Sequence, residues 1–459
     1  MSVFSLSNLK KTWYYLQKNG IRNAVWAVLE RIGQEQEVYT WQEPDEKTLS
    51  FQREHSASLR ISIVVPAYRT KKEHLEAMLN SVSKQSYPHW ELIVADAGGT
   101  AESVQAWAKK NGICLRKAAD ASNLAEWKDQ SIMLCTLSEN KGISANTNAG
   151  IELAAGDAVG LLDHDDLLTA NALWEMADCL EKEKKRGKQK LVLFSDEDKC
   201  DGAASRFYEP NFKPDFDGEL LLTNNYICHF TVIETVFLKE LKLRSGFDGA
   251  QDYDLVLRAY AAGGQFVHVP KVLYHWRCHE ASTASNPQSK RYAYEAGQRA
   301  LEDYCLRKGW KATVSGLKHL GFYREDYEDS VFCQRPEIGI WAKPLPGGRD
   351  IFGIRHPKGF LVSGLYENDG LMRYAGLRKG YSGPMHRAAL QQSAPAADLR
   401  SMEVCSALKE RYAQTIAELK EACQGLPTAA QETKILQKSM EFCKEATAAG
   451  YGILWDPQA

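Results

Sequence analysis

The chain has 459 residues and a mass of 51.5 kDa, which at roughly 150 residues per domain allows about three domains, or one large domain with appendages. Hydrophobic residues make up 44% and charged residues 25%, both close to the globular average, so a mainly disordered or collagen-like protein is excluded. The 57 basic and 59 acidic residues leave a formal charge of −2, which gives no electrostatic case for nucleic acid as the main partner.

The 11 cysteines contain no CxxC pair and are odd in number. This favours free thiols in a reducing compartment over a disulfide framework or a structural zinc site. No apolar stretch approaches the ~20 residues of a membrane span, and lysines at 10, 11 and 18 interrupt any apolar core of a signal peptide. The expected location is therefore the cytoplasm.

Residues 7–33 carry apolar side chains at roughly helical spacing among Lys and Arg. One interpretation is an interfacial membrane helix, which would place the protein peripherally at the inner face of the plasma membrane. The other is a pair of helices packed on the body of the protein. Residues 41–58 are polar and aperiodic, and are expected to form a linker.

From residue 61 onward, predicted strands and helices alternate. Strands are expected at 61–65, 91–95, 132–136, 158–162 and 191–194, and helices at 72–85, 101–110, 143–155 and 170–185. This order predicts an α/β fold with a doubly wound, mostly parallel, Rossmann-like sheet.

In such sheets, ligands bind outside the carboxyl ends of the strands. Polar or turn-forming residues are expected to follow four of the strands here: Pro66-Ala67-Tyr68, Asp96, Asp163 with Asp165 and Asp166, and Asp196-Glu197-Asp198. One acidic strand end would mean little, whereas four in order indicate a site.

The segment Leu161–Asp166 is the strongest chemical signal. Carboxylates at i and i+2 just past a buried strand can share one hard divalent cation such as Mg²⁺ or Mn²⁺, which also holds diphosphate. For Asp163 and Asp165 we favour metal or ribose contact, whereas Asp166 is expected to cap the helix that follows.

Two further segments carry candidate residues. Gln251-Asp252-Tyr253-Asp254 opens a predicted helix, where a carboxylate is either a general base or a structural charge at a helix N-terminus. Spacing alone does not separate Asp252 from Asp254 and favours capping for both. In the segment 274–279, YHWRCH, a histidine is suited to a metal shell and Arg277 to phosphate, although an exposed loop histidine usually has no such role.

Taken together, these motifs resemble the family 2 glycosyltransferases of the GT-A fold over about residues 59–324. The resemblance rests on ordered fragments: ISIVVPAY, SVSKQSYPHWELIVADAGG, ENKGISANTNAGIELAAGD, LLDHDDLL, FSDEDK, NFKPDF, NNYICHF, GAQDYDLVLR and YHWRCHEAST. By pattern it points to bacterial enzymes of cell-surface polysaccharide synthesis, including rhamnosyltransferase-like members.

The resemblance implies a role for each matching residue. The nucleotide-sugar contacts it implies are Pro66, Ala67, Tyr68, Asp96, Asn146, Asp163, His164 and Arg277. Asp165 is implied as a ligand of Mn²⁺ or Mg²⁺ and His279 as a further ligand. Asp252 is implied as the catalytic base, which overrides its interpretation as a cap and leaves Asp254 structural.

The implied reaction is a single inverting displacement from a UDP- or dTDP-linked sugar to a glycan, with a lipid-linked saccharide as the family-level expectation for the acceptor. Two positions depart from the family pattern. Gln251 replaces the commoner Glu, which does not remove the base, and Lys141 stands where an apolar residue is usual.

The expected organisation is an N-terminal helical segment and linker at 1–58, the glycosyltransferase domain at 59–324 and an accessory region at 325–459. The accessory region resembles, over residues 335–377, the second, degenerate glycosyltransferase-like module of some relatives. It has no initial VVPAY strand, DxD or QD pair, so it is expected to be noncatalytic. Scaffolding, homodimerisation and acceptor binding stay open as its role, and the loop 380–387 is either a ligand loop or a packed linker.

Two other functions are compatible with an α/β fold of this kind. A catalytically silent carbohydrate-binding or scaffold protein on the same fold has no physical reason to keep the DxD, Asp252 and His279 together. A nucleotidyltransferase usually has a Gly-rich phosphate loop after the first strand, which VVPAYRT does not provide. No residue decides the donor sugar, linkage or processivity, because a fold does not fix them.

Overall fold

The computed structural model describes residues 39–118, 128–278, 291–316, 321–342, 402–422, 438, 441–443, 445–446 and 448–455. The amphipathic segment 7–33, His279 and the loop 380–387 lie outside these residues. Of the helices within the described ranges, none combines the length and apolarity needed to cross a membrane.

The described chain forms two compact units. One comprises residues 39–221 and 225–304, and it contains a ten-stranded sheet with the order β3-β4-β2-β1-β5-β9-β7-β10-β6, to which β8 adds by pairing with β7. Its strands are β1 (Ile61–Ala67), β2 (Trp90–Asp96), β3 (Cys114–Lys117), β4 (Ser131–Thr136), β5 (Ala158–Leu161), β6 (Leu167–Leu168), β7 (Leu191–Cys200), β8 (Phe207–Asn211), β9 (Thr231–Glu234) and β10 (Gln265–Arg277).

Strands β3, β4, β2, β1 and β5 are parallel neighbours, and β7 and β10 form a second parallel pair. Strand β9 runs antiparallel between β5 and β7, and β6 and β8 are also antiparallel to their partners. The predicted mostly parallel α/β sheet is therefore confirmed.

Helices cover both faces of this sheet. The helices of this part of the chain are α1 (Glu46–Glu54), α2 (Lys72–Ser83), α3 (Ala101–Asn111), α4 (Ile143–Leu153), α5 (Ala172–Lys185), α6 (Gly218–Thr223), α7 (Thr235–Leu241), α8 (Gln251–Ala261) and α9 (Arg291–Lys308). Successive side chains of a strand point to opposite faces. Ile63 accordingly packs in one core with Leu75 of α2, whereas Val64 packs in the other with Ile151 of α4.

Two segments differ from the sequence prediction. Helix α1 lies within the expected linker, because Asp45 caps it by accepting a hydrogen bond from Thr48 N at 2.7 Å. Strand β7 continues to Cys200, so Asp196, Glu197 and Asp198 lie inside the strand rather than after it. This buried run of polar residues is stabilised by partners from distant parts of the chain. A prediction from local strand propensity does not include such partners.

The other unit contains residues from 305 onward together with 222–224. Its strands form an antiparallel pair, β11 (Ala312–Gly316) with β12 (Tyr323–Tyr327), and a three-stranded sheet of β13 (Ile338–Ala342), β14 (Met402–Val404) and β15 (Gly452–Trp455). Its shorter helices are α10 (Val331–Gln334), α11 (Ser406–Arg411) and α12 (Ala413–Ala422). The C-terminal region is α/β, and its origin as a degenerate module stays a prediction.

Candidate active site

The loop that follows β5 carries the predicted DxD motif. Asp163, His164 and Asp165 are all partly exposed, and His164 Nδ1 lies 4.0 Å from Asp165 Oδ1. The pKa of the Asp163 carboxyl is raised, chiefly because the surrounding protein excludes water from it. Negative charge on Asp165 and Asp252 raises this pKa further, whereas His229 acts in the opposite direction.

Asp166 anchors the DxD loop on its buried side. This carboxylate is 1% exposed and accepts hydrogen bonds from Tyr274 Oη at 2.5 Å and from Arg277 N at 2.7 Å. The expectation that Asp166 caps the following helix is therefore wrong, since Asn171 stands at the N-cap of α5. Asp166 instead joins the DxD loop to β10.

Arg277 also connects the DxD loop to β10. It is 2% exposed, and its guanidinium donates to the carbonyl oxygen of Asp165 and, at 2.8 Å, to that of Gly202. Within the described residues its buried Nη2 has no hydrogen-bond partner. Arg277 thus orients the backbone that carries Asp165, and its predicted contact with donor phosphate stays a prediction.

Helix α8 presents Asp252 at its first turn. The carboxylate is partly exposed. Its Oδ2 accepts a hydrogen bond from Asn225 Nδ2 at 3.0 Å and its Oδ1 accepts one from Tyr253 N at 2.8 Å. The Cys228 thiol is a further hydrogen-bond partner of this carboxylate. A carboxylate has about four lone-pair sites, so Asp252 is oriented and still able to accept a proton.

Asp254 lies in a different environment two residues further on. It is 1% exposed and paired with Arg244 and with Arg258, whose Nε lies 2.9 Å from Asp254 Oδ2. The residue at the N-cap of α8 is Ala250, and no side chain makes a capping hydrogen bond there. Asp254 therefore makes no capping hydrogen bond, whereas Asp252 accepts one from the first-turn amide of Tyr253.

His229 is a residue of this site that the sequence analysis did not single out. Glu197 Oε2 accepts from His229 N at 2.6 Å and lies 3.1 Å from His229 Nδ1. The imidazole also stacks on Tyr274, with ring centroids 4.9 Å apart. The histidine lies in the fragment NNYICHF, where an isolated histidine next to a strand gave no reason to assign it a role.

Glu197 fixes the charge of this histidine. Burial alone would lower the pKa of His229, but the hydrogen bond and charge of Glu197 raise it to about 9. Burial alone would likewise raise the pKa of Glu197, and Lys213 together with His229 lowers it to about 2. An ion pair between the buried Glu197 and the partly exposed His229 therefore lies next to Tyr274.

The DxD loop and the first turn of α8 meet at this histidine. Ligand atoms of Cys228, His229 and Asp252 lie within 4.8 Å of one another. His229 stacks on Tyr274, whose Oη accepts from Asp163 N at 3.5 Å. Asp252 is therefore close to His229, and Tyr274 connects this histidine to the DxD loop.

The ends of β1 and β2 carry the predicted nucleotide contacts. Ala67 pairs with Asp96 across the two strands, next to Pro66. The Asp96 carboxylate is 1% exposed and accepts hydrogen bonds from backbone amides of the next turn, including Gly98 N at 3.0 Å and Ala101 N at 2.9 Å. The exposed Tyr68 lies beside this turn. These residues share one sheet edge, and their contact with a nucleotide stays a prediction.

Asn146 stabilises the loop that begins α4. It is 4% exposed, its Nδ2 donates to Asn140 Oδ1 at 2.9 Å, and its Oδ1 accepts from Lys141 N at 3.4 Å. Gly142 has φ +95°, and a Cβ there would lie 2.2 Å from Asp248 Oδ2, just before α8. The side chain of Asn146 is therefore committed to the loop, and its proximity to a nucleotide stays a prediction.

The DxD loop offers ligand atoms of the type that a hard divalent cation binds. Asp163 and Asp165 offer carboxylate oxygens of the type that Mn²⁺ and Mg²⁺ prefer. Among the described residues, however, the one group with three metal-ligand atoms close together is Cys228, His229 and Asp252. The predicted third ligand, His279, lies outside the described residues.

The sheet order, the strand-end carboxylates and the carboxylate on α8 define a nucleotide-sugar transferase type of fold. Residues 62–240 match the family model described as "Glycosyl transferase family 2". The chain thus contains a family 2 glycosyltransferase domain, as the sequence motifs indicated. The matched segment ends before α8, so Asp252 lies outside it.

Named relatives work in polysaccharide assembly. The chain is 34% identical over 256 residues to the O-antigen biosynthesis protein RfbC of Myxococcus xanthus, covering 56% of this chain and 19% of that protein. It is 30% identical over 114 residues, 25% of this chain and 38% of the relative, to the Escherichia coli enzyme WfgD, named as a UDP-Glc:alpha-D-GlcNAc-diphosphoundecaprenol beta-1,3-glucosyltransferase. The chain therefore spans well under half the length of these relatives.

A solved structure, S. aureus TarS 1-349 in complex with UDP-GlcNAc, matches with 15% identity and a TM-score of 0.41, covering 86% of this chain and 93% of that one.

Proposed function

We propose that the chain is a metal-dependent inverting glycosyltransferase. It moves a sugar from a UDP- or dTDP-linked donor to a glycan acceptor in cell-surface polysaccharide synthesis. The observation that carries this proposal is the placement of Asp252, which is oriented by Asn225 and close to His229. The ring of His229 stacks on Tyr274, which is hydrogen-bonded to the DxD loop. The names of relatives in O-antigen and lipid-linked glycan synthesis support the substrate class.

Asp252 acts as the general base. An acceptor hydroxyl donates to one of its carboxylate oxygens, and that hydroxyl oxygen attacks the anomeric carbon as the proton is transferred. Asn225 holds the carboxylate in one orientation, so that the reacting oxygen does not have to be positioned during the reaction. Inversion follows because the incoming oxygen and the leaving diphosphate occupy opposite faces of the sugar.

The DxD loop holds the donor. Asp165 would hold a Mn²⁺ or Mg²⁺ ion, and Asp163 would contact the ribose or the donor sugar. The ion supplies charge neutralisation for the departing diphosphate. Arg277 and Asp166 fix the backbone of this loop from its buried side. A lipid-linked saccharide as acceptor would place the enzyme peripherally at a membrane surface.

Calorimetry with a panel of nucleoside diphosphates and their sugars, in Mn²⁺ and in EDTA, tests the donor site. We expect one nucleotide to bind in Mn²⁺ and to bind much more weakly in EDTA. Asp165→Ala should lose the Mn²⁺-dependent part, whereas Asp178→Ala, which removes only a surface ion pair with Lys182, should bind as the wild type does. A folded protein that binds no nucleotide would instead support the silent scaffold.

A further inference from the structure

Three different types of metal ligand lie together beside the proposed base. A thiol from Cys228, an imidazole nitrogen from His229 and a carboxylate oxygen from Asp252 lie within 4.8 Å of one another. Sulfur, nitrogen and oxygen ligands in one cluster are the set that Zn²⁺ accepts in tetrahedral sites. The Asp163–Asp165 loop, in contrast, offers oxygen ligands, which suit Mg²⁺ or Mn²⁺.

The imidazole is arranged as in metal sites. His229 Nδ1 faces Glu197 Oε2 at 3.1 Å, which leaves Nε2 as the ring nitrogen for a cation. Metal-bound histidines almost always donate their second N–H to a carboxylate, carbonyl or water, which fixes the ring orientation and makes the ligand more basic. Glu197 is in the position of that outer partner.

The ligands are also held in place by groups that are not ligands themselves. The buried Lys213 Nζ donates to the carbonyl oxygens of Ile227 at 2.9 Å and His229 at 2.5 Å, which lie on either side of Cys228. Asn225 Nδ2 donates a hydrogen bond to Asp252 Oδ2 and so orients this carboxylate. A cation would therefore meet a cluster that needs little reorganisation, which reduces the cost of ordering the ligands.

We propose that Cys228, His229 and Asp252 form an inhibitory site for Zn²⁺, separate in chemistry from the DxD site for Mn²⁺ or Mg²⁺. Binding releases two protons to solvent. One comes from the Cys228 thiol, because the thiolate is the ligand, and the other comes from Nε2 of His229, because the imidazolium of its ion pair with Glu197 must become neutral before it binds a cation. Water completes the coordination. A cation on Asp252 uses the lone pair that would accept the proton of the acceptor hydroxyl, so the enzyme stops. The inhibitory effect rests on the proposed function, whereas the binding of the cation does not.

Cobalt spectroscopy tests binding without reference to activity. Co²⁺ titrated into the EDTA-treated, dialysed full-length protein should give the near-ultraviolet thiolate-to-Co²⁺ charge-transfer absorption, and Zn²⁺ should remove it by displacement. Cys228→Ser should abolish the absorption, and Cys333→Ser, which changes an exposed cysteine elsewhere, should keep it. No thiolate absorption in the wild type, or undiminished absorption in Cys228→Ser, overturns the site.

A second variant keeps the test informative if Cys228→Ser folds poorly. Asp252→Asn is nearly isosteric and removes only the carboxylate ligand. Its affinity for Co²⁺ should fall at least about tenfold, the lower end of what the loss of even an outer-shell partner costs. Unchanged affinity would exclude Asp252 from the site and overturn the proposal.

Inhibition is measured separately, on transferase assayed in saturating Mn²⁺. The Zn²⁺ concentration for half inhibition should be at least about tenfold higher in Cys228→Ser than in the wild type, with each rate expressed relative to the zinc-free rate of the same variant. Equal inhibition of both would overturn the inhibitory role. A protein with no transferase activity but with the cobalt absorption would refute the proposed function and leave the metal site standing.

Discussion

Two carboxylates on helix α8 should respond in opposite ways to the same substitution. Asp252 is partly exposed and oriented by Asn225, whereas Asp254 is 1% exposed and paired with two arginines. Replacing each by Asn keeps size and shape and removes only the charge. We expect Asp252→Asn to lose activity with little change in stability, and Asp254→Asn to lose stability.

The loss of stability expected for Asp254→Asn follows from the burial and ion pairs of this residue. Removing one partner of a buried ion pair costs about 3–5 kcal/mol, because the other charge is left uncompensated. Arg258 is 9% exposed at the side chain, but Arg244 is 30% exposed and also pairs with Asp303 at 2.7 Å, which offsets part of the loss. We therefore expect the lower end, ~3 kcal/mol, or about a hundredfold in the unfolding equilibrium.

For Asp252→Asn we expect a loss of transfer rate and almost no loss of stability. Asn at this position can still accept from Asn225 or Tyr253 N through its carbonyl oxygen, so the change in the free energy of unfolding should be ~1 kcal/mol or less. Loss of a general base lowers the transfer rate by about 10²–10⁴-fold. Nucleotide binding should remain close to that of the wild type, because only the proton-accepting group is changed.

Urea unfolding followed by circular dichroism and initial transfer rates per folded molecule measure the two effects side by side. The reasoning fails if Asp252→Asn turns over like the wild type, which would move the base elsewhere. It also fails if Asp254→Asn is as stable as the wild type and inactive, because Asp254 would then be the reacting group.

Two more substitutions test the packing and the buried charges. Gly150→Ala should destabilise the protein by about 1–3 kcal/mol through overpacking, since a Cβ there would lie 2.6 Å from a side chain of β1, whereas Gly246→Ala, with open space around it, should unfold within about 0.5 kcal/mol of the wild type. His268 has a raised pKa, because its hydrogen bonds to Asp196 and Asp215 outweigh the effect of burial. The stabilisation that His268 contributes is complete below pH ~6.5 and is lost as the pH rises through the raised pKa. Between pH 6 and 9, the free energy of unfolding measured with urea should therefore fall more for the wild type than for His268→Gln. Parallel curves of the two proteins would contradict this.

Much of the sheet could be predicted because its signals are local. The run Ile61–Val65 is apolar throughout, which is typical of a strand buried on both faces of a parallel sheet, and β1 begins at Ile61 as expected. The strands at 91–95 and 132–136 were each predicted to within one residue at their ends. Hydrophobic pattern and turn residues together are enough for such elements.

The buried half of β7 could not be predicted, because its stability comes from distant residues. Asp196 accepts from Lys213 N at 2.8 Å and lies 2.9 Å from His268 Nε2, while Asp198 lies 2.5 Å from His275. A carboxylate without such partners would not stay in a strand interior. The sequence shows the acidic run but not the later residues that stabilise it.

The same limit applies to His229. Its partner Glu197 is 32 residues away in sequence, and the two come together only because β9 pairs antiparallel with β7. Arg277 has the residue type and motif position of a phosphate ligand, a role that stays a prediction, but the sequence does not indicate that its guanidinium donates to two backbone carbonyls. Residue type indicates what a side chain is able to bind, and burial decides which partner it meets.

The position of β10 in the sheet has a consequence for synthesis on the ribosome. Strand β10 lies between β7 and β6, although it begins about 65 residues after the end of β7 and ends about 77 residues after it. At ~5–20 residues per second of translation, the nascent chain would expose the unpaired edge of β7 for several seconds. Such an edge invites pairing with other chains, so translation speed between residues 200 and 277, and chaperones that cover strand edges, should govern how much of this protein reaches its folded state.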